Sequence, residues 1–170
     1  MEILWDNIKR LLLGILHTMG LMILGILAFT TSIYLHETNI GPRELVGNLM
    51  TEHVLRTASI VGETDNITIS ISKFCNTLPV PEQAECVVRQ TEYNYKEHEG
   101  LKMPDEFNKD GGVCRDISIY YASIFKNMGW NIYYNLNTPN HVFIEITKHY
   151  NNNTDIRCTI DGLAYDCTEY

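Results

Sequence analysis

Two adjacent glycines run straight into a cysteine at Gly111-Gly112-Val113-Cys114-Arg115-Asp116, and the chain that follows reads as a buried helix. From Ile117 to Met128, apolar residues fall at Ile117, Tyr121, Ile124 and Met128, the spacing of one helical face. Gly129 stands where a left-handed C-terminal cap belongs. This spacing places Cys114 at or just before the first turn. There, unsatisfied backbone N–H groups and the positive end of the helix dipole favour thiolate over thiol. The paired glycines allow a tight backbone turn and close approach of a substrate.

Two partners lie downstream. His141 opens His141-Val142-Phe143-Ile144-Glu145-Ile146, which alternates as a strand does, and Asp161 closes the short strand ending Cys158-Thr159-Ile160-Asp161. The intervals leave room for a helix and a strand, then for a hairpin. A thiolate at a helix start, facing a His and an Asp on neighbouring strands, is a nucleophile, base and orienter set. Asp161 is also the first residue of an Asp-Gly turn signal, so Asp155 and Asp166 stand as alternative orienters. Asp116, in the helix's first turn, reads as structural, paired with Arg115 or an upstream backbone N–H.

The set Gly112-Val113-Cys114-Arg115-Asp116, a helix ending Asn127-Met128-Gly129-Trp130, His141-Val142-Phe143-Ile144-Glu145 and Thr159-Ile160-Asp161-Gly162 resembles the transglutaminase-like cysteine-protease superfamily. The similarity spans about Lys96 to Asp166. It implies an α+β fold with a papain/transglutaminase-like core, a nucleophile helix packed on an antiparallel sheet. It also implies acyl transfer on peptide amides by a Cys114-His141-Asp161 triad, as peptidase, amidase or transamidase, without a cofactor. Family members often carry a Trp soon after the His and a Pro after the Asp, where this chain has Phe143 and Gly162. That departure favours an alternative, a non-catalytic binding or assembly module. Tyr93, Tyr95 and His98 fall in the segment that helps line the cleft in that family, and packing with a wet polar tip is the favoured account of each.

The start of the chain differs in character. Leu11 to Phe29 is apolar except for His17 and Thr18, and a weaker stretch continues to Leu35. A membrane span needs roughly 20 such residues. Lys9 and Arg10 precede the run and no further cation follows until Arg43, so the positive-inside rule orients the N-terminus to the cytoplasm. This reads as a single-pass signal anchor within Leu11 to Leu35 in contact with the lipid bilayer, with an extracytoplasmic C-terminal domain. A cleaved signal peptide is the alternative. The expected organisation is an anchor over 1–36, a helical segment over 37–95 and the core over 96–170.

The net charge of −8 belongs to the chain after residue 36, because the first 36 residues hold two acidic and two basic side chains. No basic patch appears, which argues against a nucleic-acid partner; the peptide or protein substrate is what the resemblance implies. The histidines are dispersed and no Cys-x-x-Cys occurs, so no metal site is expected. Five cysteines leave one over if the rest pair. Cys158 and Cys167 lie directly opposite if Gly162-Leu163 is the hairpin loop, and strain against each other if the loop is Asp161-Gly162. Cys75 and Cys86 lie 11 apart across a Pro turn. Two bridges, Cys75–Cys86 and Cys158–Cys167, leave Cys114 outside them. Five reduced, buried cysteines are the other arrangement. The Asn66-Ile67-Thr68 and Asn152-Asn153-Thr154 triplets fit exposed loops outside the cytoplasm.

Elsewhere, Arg43 to Ile60 reads as a helix with Leu45, Leu49 and Met50 on its apolar face. Ile67, Ile69 and Ile71 alternate as a short strand. Glu82 to Tyr95 reads as a helix with Val87 and Val88 inward. Asn131 to Leu136 reads as a strand, and Asn137 to Asn140 as a turn.

Overall fold

The computed structural model describes residues 19–20, 22–23, 42–136, 141–151 and 154–170. The chain divides into two compact units, Met1–Gly47 and Asn48–Tyr170. In the first, Met19, Met22 and Ile23 are helical and exposed. The second carries a four-stranded antiparallel sheet in the order β1 (Asn131–Asn135), β2 (Phe143–Asn151), β3 (Thr154–Asp161), β4 (Ala164–Glu169). Ahead of it come α1 (Pro42–Gly62), which starts in the first unit, α2 (Asn66–Cys75), α3 (Val80–Arg89), α4 (Pro104–Asp110) and α5 (Cys114–Asn127).

The sheet's alternation sets its two faces. Ile132, Tyr134, Ile144, Ile146, Ile156, Cys158 and Ile160 are buried, while Tyr133 and Arg157, on the other face, are exposed. α5 packs on β1 and β2 and meets α2 and α4 on its other sides. It is therefore buried all round: Ile117, Ile119, Tyr120, Tyr121, Ile124 and Phe125 are each at most 2% exposed. Apolar spacing reveals one such face; the others are filled because helices enclose α5. Gly129 has φ 77° just past the helix, the left-handed position that favours glycine.

The expected transmembrane helix ahead of a papain/transglutaminase-like core is corrected. Among the described residues no helix is long and apolar enough to cross a membrane, and the fold is a small α+β domain of five helices and one sheet. The longest helix among the described residues, α1, has 21 residues but carries Asn48, Thr51, Glu52, Arg56 and Thr57. Lys9, Arg10 and nearly all of Leu11 to Leu35 lie outside the described residues, as do the expected turn over 137–140 and the Asn152 triplet. The motif pieces behind the expected core govern local turns around α5 and the strands. They do not dictate the path of 42–95, which forms three helices.

Local expectations also shift. Ile67 to Ile71 is helical, because Thr68, Ile71, Ser72 and Cys75 recur at helical spacing on the buried side. α3 stops at Arg89 and the chain runs extended to Tyr95, which bridges Gly112. On α1 the inner face is Leu55, Ser59 and Gly62, whereas Leu49 and Met50 point outward.

Both disulfides are present, Cys75–Cys86 joining α2 to α3 and Cys158–Cys167 joining β3 to β4. In the last hairpin Asp161 pairs with Ala164, so the loop is Gly162-Leu163 and Cys158 faces Cys167.

Candidate active site

The helix start is built by a close fit that only glycine permits. Gly111 has φ 70°, and a Cβ there would meet the Asn94 carbonyl oxygen at 2.1 Å. A Cβ on Gly112 would meet Asp116 Oδ2 at 2.7 Å. Gly112 N–H donates to Asn94 O, and Lys96 N–H donates to Gly112 O. The extended segment Asn94-Tyr95-Lys96 thus lies beside the approach to Cys114.

Asp116 organises this junction from a fully buried position. Its carboxylate accepts from Val113 N–H at 2.8 Å, from Lys102 N–H at 2.9 Å and from His98 Nε2 at 2.7 Å. Arg115 Nε stands farther off at 4.0 Å, so the backbone and His98 outweigh the expected Arg115 pairing. His98 Nδ1 lies 2.9 Å from the Glu99 carbonyl, and Lys102 Nζ donates to Gly111 O at 2.7 Å. These bonds lace segment 96–103 to the first turn of α5. Cys114 is the first residue of that helix, partly exposed and outside both disulfides.

His141 and Asp161 are brought together. His141 Nε2 lies 2.9 Å from both Asp161 oxygens, and the pair is open to solvent, with side chains 37% and 49% exposed. Phe143 stands beside the imidazole, ring centroids 6.1 Å apart. Nδ1 is the ring nitrogen that Asp161 does not engage.

Two hydrogen bonds fasten this pair to α5. Ser118 Oγ donates to Val142 O at 3.2 Å, beside His141. Tyr121 OH donates to Gly162 O at 2.9 Å, beside Asp161. Ser118 and Tyr121 follow Cys114 by one and two turns, so all three share a helix face. The face that carries the thiol is thereby tied to the backbone next to the His and next to the Asp. Burial pushes the Tyr121 phenol well above its ordinary value, so it remains a donor.

Tyr93 is the residue that sequence spacing underrates. Its ring lies 3.8 Å from where a Gly162 Cβ would stand, and it packs against Phe107. Burial, then the electrostatic influence of Cys114, and then of Tyr95, Asp116 and Asp161, push its phenol above the ordinary value. Its phenol therefore stays neutral, with the ring beside Gly162. His98 turns inward to Asp116, leaving Tyr95, 66% exposed, on the outside. The fallback orienters lie elsewhere: Asp155 pairs with His149 Nδ1 at 2.5 Å, and Asp166 lies opposite Thr159 on β4. Among the described residues no group of three or more metal-ligating side chains occurs. No protein-family model, curated protein or solved structure matches this chain.

Proposed function

We propose that this domain is a thiol enzyme that transfers acyl groups from peptide amides, with Cys114 as nucleophile, His141 as base and acid, and Asp161 as orienter. One observation carries the reading. The His141–Asp161 pair, at 2.9 Å, is anchored through Ser118 and Tyr121 to the helix face that begins with Cys114. The resemblance of the Gly112-Val113-Cys114, His141 and Asp161 segments to transglutaminase-like cysteine proteases supports the same chemistry.

In this mechanism His141 Nδ1 takes the Cys114 proton while Asp161 holds Nε2, fixing tautomer and ring orientation. The Sγ lone pair attacks the amide carbon, and the C=O electron pair moves to oxygen. The oxyanion forms beside the Cys114 N–H at the positive end of α5. The Tyr93 hydroxyl is the nearby side chain suited to a second donor. The C–N bond then breaks as His141 protonates the leaving amine, leaving a thioester on Cys114. Water or a second amine resolves it, giving hydrolysis or transamidation. Two disulfides support a working location outside the reducing cytoplasm.

The test is acyl capture. Incubation with a mixture of glutamine-containing and generic peptides, quenched in acid, is expected to leave an acyl adduct on Cys114 by mass spectrometry. It is also expected to release ammonia or a shortened peptide, and Cys114→Ala abolishes both. Absence of adduct and product with wild type overturns the enzyme and favours the binding module.

A further inference from the structure

α1 has two opposite faces, and the domain uses one of them. Leu55, Ser59 and Gly62 face inward. A Cβ on Gly62 would meet Ser123 Oγ at 2.5 Å, Ser123 Oγ bonds Ser59 O, and Tyr134 OH donates to Leu55 O. On the far side, Leu49, Met50, Val54, Ile60 and Val61 are 58%, 69%, 49%, 57% and 55% exposed. At 100° per residue these five fall, with His53 and Thr57, within one stripe opposite Leu55 and Ser59. No charged side chain interrupts it. Glu52 and Arg56, at its margin, pair with each other at 2.6 Å.

From this stripe we infer that the protein forms an antiparallel two-fold dimer in which α1 packs against α1 of a second copy. Three features select this occupant. The two ends of the stripe match: a bulky apolar pair, Leu49-Met50, at one end and another, Ile60-Val61, at the other. A two-fold axis opposite Leu55 sets Leu49 against Val61, Met50 against Ile60, His53 against Thr57 and Val54 against Arg56, a reciprocal pattern suited to an isologous interface. The area is also sufficient. The stripe offers roughly 500–600 Å² per copy, so a pair that covers it fully buries a little over 1,000 Å², about the area a specific interface has to clear. An anionic lipid surface fits less well, because interfacial helices carry Lys and Arg on the polar face. Here Arg56 is the sole Lys or Arg from Asn48 to Gly62, and it pairs with Glu52.

The test uses the full chain with Cys114→Ala, so that an introduced thiol is the one outside the disulfides. Differently tagged Leu49→Cys and Val61→Cys chains are mixed in mild detergent and oxidised with copper phenanthroline. A covalent species carrying both tags is expected, and Leu49→Cys alone is expected to give at least ten-fold less, because those ends lie about 18 Å apart along antiparallel helices. Met50→Glu/Ile60→Glu is expected to abolish the link while the thermal transition and the Cys158–Cys167 bridge persist. Three results each overturn the inference: a sedimentation mass of one chain at tens of micromolar, linking of Leu49→Cys to itself as the main product, or a dimer that survives Met50→Glu/Ile60→Glu.

Discussion

Asp116 bears more of the site than its distance from the reaction suggests. It is fully buried, and two backbone N–H groups and the His98 ring converge on it. Asp116→Ala leaves the Val113 and Lys102 amides without their acceptor and is expected to cost on the order of 3 kcal/mol in urea unfolding. Asp116→Asn keeps one acceptor oxygen and is expected to cost less; equal costs would show that the carboxylate is not the organising group. Part of this was legible, since an acidic residue in a helix's first turn reads as a cap. The His98 partner, 18 residues earlier, was not, because a contact between a loop and a helix's first turn leaves no periodic trace. Gly112 was legible as a turn, but its need to clear the Asp116 carboxylate emerges only from packing.

At the scale of elements, α5 and the sheet share the site through two side-chain bonds. Ser118→Ala and Tyr121→Phe each remove a donor and are expected to cost about 1 kcal/mol. Together they are expected to slow alkylation of Cys114 beyond what the stability loss explains, and an unchanged rate would uncouple α5 from the His–Asp pair. On the solvent face of the sheet, the Arg157 guanidinium on β3 grips Glu145 on β2 and holds its carboxyl below the usual value, helped by Asn135 and opposed by partial burial. A depressed carboxyl contributes stability above its unfolded pKa and loses it as pH falls through the lower folded value. Glu145→Gln is therefore expected to lower the urea midpoint at pH 7, with the gap to wild type closing on acidification through and below about pH 4.5. A gap independent of pH would contradict this. Strands here were legible where one face is buried, as for Ile144 and Ile146. Ile67 to Ile71 misled, because its alternating isoleucines sit among helix-spaced Thr68, Ser72 and Cys75, whose burial is set by α3 and α5.

For the whole molecule, the sheet's outer hairpin and the α2–α3 corner are each closed covalently. The Cys158–Cys167 bridge closes a short loop, and Cys158→Ala/Cys167→Ala is expected to cost about 2–3 kcal/mol by the loop-entropy argument. Its register followed from the placement of Gly162-Leu163, and the α2–α3 bridge followed from the cysteine count and the Pro turn alone. The packing of α2 and α4 around α5 was not legible. Leu49 and Met50 look like core residues by hydropathy yet face outward, because both sides of α1 are apolar. The central claim is that His141 acts on Cys114 and Asp161 acts through His141. It is tested most directly by the rate of iodoacetamide alkylation of Cys114 at pH 6.5, followed by mass spectrometry in folded wild type, His141→Ala and Asp161→Asn. Wild type is expected to react at least ten-fold faster than His141→Ala, with Asp161→Asn between them, because it leaves the imidazole in place and alters its tautomer and orientation. Equal rates in all three proteins would contradict the account.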